Sequence, residues 1–191
     1  MKNFRIIAFV FFMSTVTCLH VSGQENTNES AVMTAGATVQ GALSITRDAD
    51  VNFGNISATT DGIVRLVPDG SSSSFVGNNA TTGKFTISGG GNSTILISYP
   101  AGITLIANES DQIEYSMHVY GSSEDVQASA QPLTTEGVAG ENVSATLDAV
   151  SGNYFLYVGG GLGGSIGNPA ALSGQVAGEY SGTVTFEVKY N

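Results

Sequence analysis

The chain has 191 residues, of which 41% are hydrophobic. It contains six Lys and Arg residues and sixteen Asp and Glu residues, which gives a formal net charge of −10. That acidity argues against a nucleic-acid partner, because phosphate-backbone affinity comes mainly from Lys and Arg. The length suits one domain with a core of its own.

Residues 1–23 are typical of a secretory signal peptide. Lys2 and Arg5 precede an apolar run at 6–13 that is too short to be a stable bilayer anchor, and small residues follow at 21–23. Cleavage after Gly23 removes Cys18, the only cysteine, so the mature chain cannot form an internal disulfide. The alternative is a lipoprotein anchored at Cys18. We expect a secreted protein that does not span the membrane, with a flexible polar leader at 24–31 and a single β-sandwich domain at 32–191.

Strand patterning begins at the start of the predicted domain. Apolar and polar residues alternate from position 33 to position 46. This alternation predicts a strand that is longer than the usual length of about five or six residues. Its apolar positions are Met33, Ala35, Ala37, Val39, Leu43 and Ile45. A long first strand of the domain is the simple interpretation, and pairing outside the domain is the alternative.

Short β-branched segments separated by turn residues follow along the chain. They predict strands near 51–56, 62–67, 84–88, 94–99, 103–106, 113–120, 154–158 and 183–190. The fold class is therefore all-β, an antiparallel sandwich of about eight or nine strands. A barrel is the alternative.

Two glycine-rich motifs resemble catalytic or nucleotide-binding signatures but lack the required context. Residues 159–164 fit G-x-G-x-x-G and residues 163–167 fit G-x-S-x-G, yet the sequence that follows cannot open a long helix. The one histidine of the mature chain, His118, precedes the serine and is predicted to face water with Glu114 and Ser116. We expect a flexible loop here, no cofactor and no enzyme.

Asp48, Asp50 and Asn52 have the spacing that opens an EF-hand calcium loop. Phe53 stands where the loop needs glycine, and Thr59 stands where it needs glutamate. The sequence predicts no metal site, and a calcium site built from these side chains stays open as an alternative.

The last predicted strand keeps its alternation almost to the final residue. Val184, Phe186, Val188 and Tyr190 alternate with polar residues, a pattern typical of a half-buried strand. Its penultimate position is Tyr190, and Gly178 is the fourteenth residue from the end.

Several segments, in order, resemble a bacterial secreted family known as domain-of-unknown-function family 4402. They are Val51-Asn52-Phe53-Gly54, residues 62–70, Phe85-Thr86-Ile87-Ser88-Gly89, residues 95–100, residues 103–105, Gly160-Gly161-Leu162 and residues 178–186. The resemblance implies an immunoglobulin-like or pilin-like β-sandwich fold, and it implies no activity. We expect the secreted protein in the periplasm or on the cell surface of a Gram-negative bacterium.

The end of the chain also resembles subunits of chaperone–usher pili, which carry a glycine fourteen residues from the C-terminus and a penultimate tyrosine. That resemblance implies a fimbria-like, adhesive subunit that assembles with itself or related subunits by strand addition, after binding a periplasmic chaperone. The residues implied in the assembly strand are Gly178, Tyr180, Val184, Phe186, Val188 and Tyr190. The alternative function is a monomeric binding module, for example for glycans, with a platform of Tyr154, Phe155 and Tyr157.

Overall fold

The computed structural model describes residues 33–37 and 39–191. The signal peptide and leader predicted for residues 1–31 lie outside the described residues and stay predictions. The chain divides between Ala37 and Thr38. Before the division, residues 33–37 are exposed and carry no regular secondary structure.

Ten strands and one short 3-10 helix (Gln127–Ser129) make up the regular structure of the described residues. The strands are β1 (Ser44–Ala49), β2 (Arg65–Leu66), β3 (Gly83–Ser88), β4 (Thr94–Tyr99), β5 (Gly102–Ile106), β6 (Gln112–Ser122), β7 (Gln131–Pro132), β8 (Gly140–Thr146), β9 (Asn153–Leu162) and β10 (Glu187–Tyr190).

The strands form two antiparallel sheets. The larger sheet has the order β1-β3-β9-β6-β5, with β2 beside β9 and β7 beside β6, and the smaller sheet has the order β10-β4-β8. Inward side chains of both sheets meet in one hydrophobic cluster. The prediction of an all-β, antiparallel sandwich is confirmed.

Alternating residues of the central strands supply the core. On β6, the buried side chains are Ile113, Tyr115, Met117 and Val119, and on β4 they are Ile95, Ile97 and Tyr99. Each apolar side chain removed from water contributes about 1.5–3 kcal/mol to folding. Ser116 was predicted to face water but is fully buried, and its hydroxyl accepts a hydrogen bond from the Gly167 N–H at 2.8 Å.

The predicted continuous strand over 33–46 is wrong. Strand β1 begins at Ser44, which lies opposite Ser88. Strand β3 ends at Ser88 and the chain then turns, so residues 33–37 and 39–43 have no partner strand among the described residues. Leu43 and Ile45 are half-buried against the core, whereas Met33 and Val39 are 89% and 94% exposed.

The predicted last strand is confirmed for residues 187–190 and wrong for residues 183–186. Strand β10 pairs with β4 from Ser98 to Ile95, and Tyr99 of β4 is followed by Pro100, which has no N–H to donate. The alternation nevertheless continues through the unpaired part, since Val184 and Phe186 are half-buried and Thr185 is exposed.

The predicted loop over 159–164 is wrong in its first part. Strand β9 continues through Gly159 to Leu162, and all four of these residues are buried. The chain turns only at Gly163 and Gly164, both of which have positive φ. No helix follows either glycine motif in the described residues.

Candidate functional site

The larger sheet has more strands than the smaller one, and part of its inner face borders an open groove. The groove has a volume of about 1120 Å³. One wall is the chain after β1 (residues 50–58), and the other is the chain before β10 (residues 175–184). Its floor consists of side chains of the larger sheet, namely Phe85, Ile103, Leu105, Ile113, Tyr115 and Met117.

The wall before β10 presents free backbone groups. Ser181 exchanges two backbone hydrogen bonds with Ile106 of β5, and β10 itself pairs only with β4. Between these points, across residues 182–186, no backbone N–H or C=O has a hydrogen-bond partner within the described part of the chain. Unpaired backbone beside an apolar floor is what an extended peptide needs in order to add as a strand.

Other sheet edges carry features that oppose pairing. Strand β8 has an irregular register opposite Ile97 and Tyr99, and its Asn142 has φ of +52°. Strand β1 has a register shift between Arg47 and Ala49. Bulges of this kind twist an edge away from incoming strands. The register of β10 against β4 is regular, so β10 presents an edge without such irregularities, and the segment before it continues that edge along the groove wall.

The six residues predicted for the assembly strand lie in three settings. Gly178 and Tyr180 are outside any strand and line the groove wall. Val184 and Phe186 lie in the unpaired segment, where the Phe186 ring packs against Phe85 with 4.7 Å between ring centroids. Val188 and Tyr190 belong to β10 and are half-buried against the core.

Tyr190 connects the C-terminal strand to the N-terminal segment. Its hydroxyl donates a hydrogen bond to the Gly41 carbonyl at 2.8 Å and accepts one from the Gly90 N–H at 2.9 Å. Gly41 therefore lies beside the turn that follows β3, at the Ser44 end of β1. We call the end of the domain at Ser44 the root end. The opposite end, at Ala49 and the groove, is the groove end.

We expect Tyr190→Phe to destabilise the domain by about 1–3 kcal/mol, because the Gly90 N–H and the Gly41 carbonyl both lose their partner. Urea unfolding measures the loss, and amide hydrogen exchange at Gly90 localises it. Tyr180→Phe is the matched control, because the strong hydrogen bond of the Tyr180 hydroxyl is the one it donates to the exposed Val176 carbonyl. Loss of that exposed bond should change the stability by no more than about 0.5 kcal/mol. Equal effects of the two variants would contradict this role of Tyr190.

The side chains of the alternative calcium site each have a different partner. Asp48 accepts a hydrogen bond from Thr86 at 2.6 Å, Asp50 pairs with Arg47, and the Asn52 side chain accepts from the Gly54 N–H. Among the described residues, no three His, Cys, Asp or Glu side chains are grouped as metal ligands would be.

The aromatic residues suggested as a glycan platform do not share a surface. Tyr154 packs against the core between the sheets, whereas Phe155 and Tyr157 belong to a separate cluster on the outer face of the larger sheet. Both rings of that cluster are buried, with the Lys84 ammonium over them and the Tyr157 hydroxyl bonded to Asp125.

A polar cluster that the sequence did not reveal lies near the glycine-rich part of β9. Glu136 is 12% exposed, and one of its carboxylate oxygens accepts from Arg65 Nε at 3.1 Å while the other is buried without a partner. Burial raises the pKa of Glu136, and Arg65 opposes this only in part. Burial, together with the Arg65 charge, lowers the pKa of the nearby His118.

Glu136 should reduce stability at neutral pH. The pKa of Glu136 in the folded state lies above the ordinary value of 4.5. Between these two pKa values the native state keeps a proton that the unfolded state has lost, so stability falls as pH rises through that range. We expect Glu136→Gln to raise the melting temperature at pH 7, with a gain that disappears below about pH 4.5. Glu141→Gln, which removes the same charge from an exposed position, is the control. A Glu136→Gln gain that does not change with pH would contradict the assignment.

The comparison with known families agrees with this architecture. A model of the family described as "Domain of unknown function (DUF4402)" matches residues 43–190. The chain belongs to this family. The resemblance to DUF4402 inferred from the sequence is thus confirmed, and the matched region begins where the chain joins the core at Leu43. No curated protein and no solved structure matches the chain.

The family description assigns the DUF4402 domain no activity. Within the described residues, no helix is long and apolar enough to cross a membrane. The groove and the edge beside it are the features of the domain that point to a function.

Proposed function

We propose that this DUF4402 domain is a secreted structural subunit that assembles on the cell surface by strand addition and carries out no catalysis. The observation that supports this most strongly is the open groove, whose floor is hydrophobic and whose wall at residues 182–186 has backbone groups with no hydrogen-bond partner in the described part of the chain. Burying that floor and pairing that backbone would both favour binding of an extended segment.

The N-terminal segment of a second copy is the proposed donor. Residues 33–37, 39 and 40 are exposed and lie outside the domain's strands, while Met33, Ala35, Ala37 and Val39 keep the alternation of a strand with one apolar face. Leu43 and Ile45, which the sequence grouped with them, pack on their own core and are excluded from the donor. The acceptor edge at residues 182–190 is long enough for such a segment.

Head-to-tail assembly follows from where the donor and the groove lie. The donor leaves the domain at the root end, beside Gly41, whereas the groove lies at the other end of β1. A contact between two different surfaces of the same chain propagates as an open filament when the rotation between copies does not close a ring, and the open form is the one proposed here. A periplasmic chaperone is the proposed occupant of the groove before assembly, at the same edge.

Size analysis of the mature protein tests the proposal. We expect polymers with an intact subunit mass beginning at Gln24, and a synthetic peptide of residues 32–40 should bind the groove and shorten them. A scrambled peptide of the same composition is the control. A clean monomer at all concentrations, with no peptide binding, would overturn strand addition and leave the monomeric binding module as the better hypothesis.

A further inference from the structure

The two ends of the domain carry exposed apolar side chains. At the groove end, Ile63 is 41% exposed and Phe75 is 61% exposed. Ile63 lies beyond the end of β9, because the neighbouring Val64 carbonyl accepts from the Leu162 N–H. At the root end, Val150 is 97% exposed in the turn between β8 and β9. That turn packs against the one after β3, where Gly91 lies beside the Ala149 carbonyl.

Phe75 has an unfavourable backbone for an exposed aromatic residue. Its φ is +53°, in the left-handed region that bulky side chains rarely adopt. Its ring lies over the backbone of Gly62, where a Cβ atom would come within 2.1 Å of the Phe75 ring. The conformation holds the ring at the surface instead of in the core, and strain of this kind is found at contact sites.

The donor connection is too short to keep two subunits apart. Suppose that the donating copy places its residues up to Val39 in the groove of another copy, while its own core begins at Leu43. The four residue steps from the Val39 Cα atom to the Leu43 Cα atom then span at most about 14 Å. Strand β10 runs from the groove end to Tyr190 at the root end. A donor antiparallel to β10 therefore leaves the acceptor at the groove end, next to Ile63 and Phe75.

We infer that consecutive subunits also make a body-to-body contact, in which the Ile63 and Phe75 surface of one copy packs against the root end of the next, at Val150. This inference rests on the proposed strand addition and names a second interface for it. The contact gives the filament a fixed angle between subunits, because a strand alone on a short connection would leave that angle free.

Asparagine substitutions in the full mature chain test this contact. Phe75→Asn and Val150→Asn should each raise the protein concentration for half-maximal assembly about tenfold, equivalent to about 1.4 kcal/mol. Neither should lower the melting temperature, because asparagine tolerates positive φ and Val150 has no packing to lose. Val126→Asn is the control, since Val126 is 48% exposed on the outer face of the larger sheet and should leave assembly unchanged.

Binding of the 32–40 peptide separates the two levels of the proposal. All three variants should bind it as the wild type does, because none of the three residues lines the groove. If Phe75→Asn or Val150→Asn assembles like Val126→Asn while the peptide binds normally, the body contact is refuted and strand addition stands. If the peptide does not bind the wild type, strand addition and the body contact both fail.

Discussion

Gly160→Ala should destabilise the domain by roughly 2–6 kcal/mol, a large fraction of the roughly 5–15 kcal/mol by which an ordinary domain is stable. Gly160 lies in β9 at the centre of the larger sheet, opposite Met117 of β6. Its φ is +136°, and a Cβ atom there would lie 1.9 Å from the Ser116 carbonyl oxygen. That oxygen belongs to a backbone fixed in the neighbouring strand, so it cannot move aside as a flexible side chain could.

Gly174→Ala separates the two causes of this effect. Gly174 also has positive φ, +86°, but no atom lies within 4 Å of its Cβ position. Alanine at position 174 should therefore cost only the conformational part, about 1–2 kcal/mol. Urea unfolding of both variants gives the comparison. If the two substitutions cost the same, close packing of β9 against β6 is not the reason for the glycine at position 160.

The sequence could locate strands whose side chains alternate between core and surface. The predicted segment 94–99 coincides with β4, and 84–88 and 113–120 fall within β3 and β6. Each of these strands has one face on the core, so the pattern of apolar residues records the burial directly. At Gly159–Gly161 there are no side chains to alternate, and a buried strand there has the composition of a loop.

Strand boundaries at the edges could not be predicted, because alternation shows which face is apolar but not whether a partner strand exists. Residues 33–37 and 39–43 alternate without a partner strand in the described part of the chain, and residues 183–186 alternate beyond the last residue that pairs with β4. Strand β8 was missed because it is largely polar and exposed. The groove depends on which strands pair and which do not, so the sequence named the lining residues Gly178, Tyr180, Val184 and Phe186 without predicting the groove itself.

The alternation in the donor segment gives the sharpest test of assembly. Ala37→Asp should abolish polymer formation, with at least about a hundredfold loss of affinity for the groove. The Ala37 side chain belongs to the apolar face of the donor, so the new carboxylate would be buried against an apolar floor without a partner, at a cost of several kcal/mol. About 2.8 kcal/mol already corresponds to a hundredfold change.

Gly36→Asp is the matched control, because it adds the same charge one residue earlier. Gly36 and Ala37 are both exposed before assembly, and no atom lies within 4 Å of the Gly36 Cβ position, so neither variant should change the melting temperature of the unassembled domain. In a bound strand, however, successive side chains point to opposite faces, and an aspartate at position 36 would point to water. Sedimentation of the two mature variants and binding of the corresponding 32–40 peptides measure the difference. If both aspartates weaken assembly equally, repulsion in an already acidic protein explains the loss, and the donor does not bind with one face in the groove.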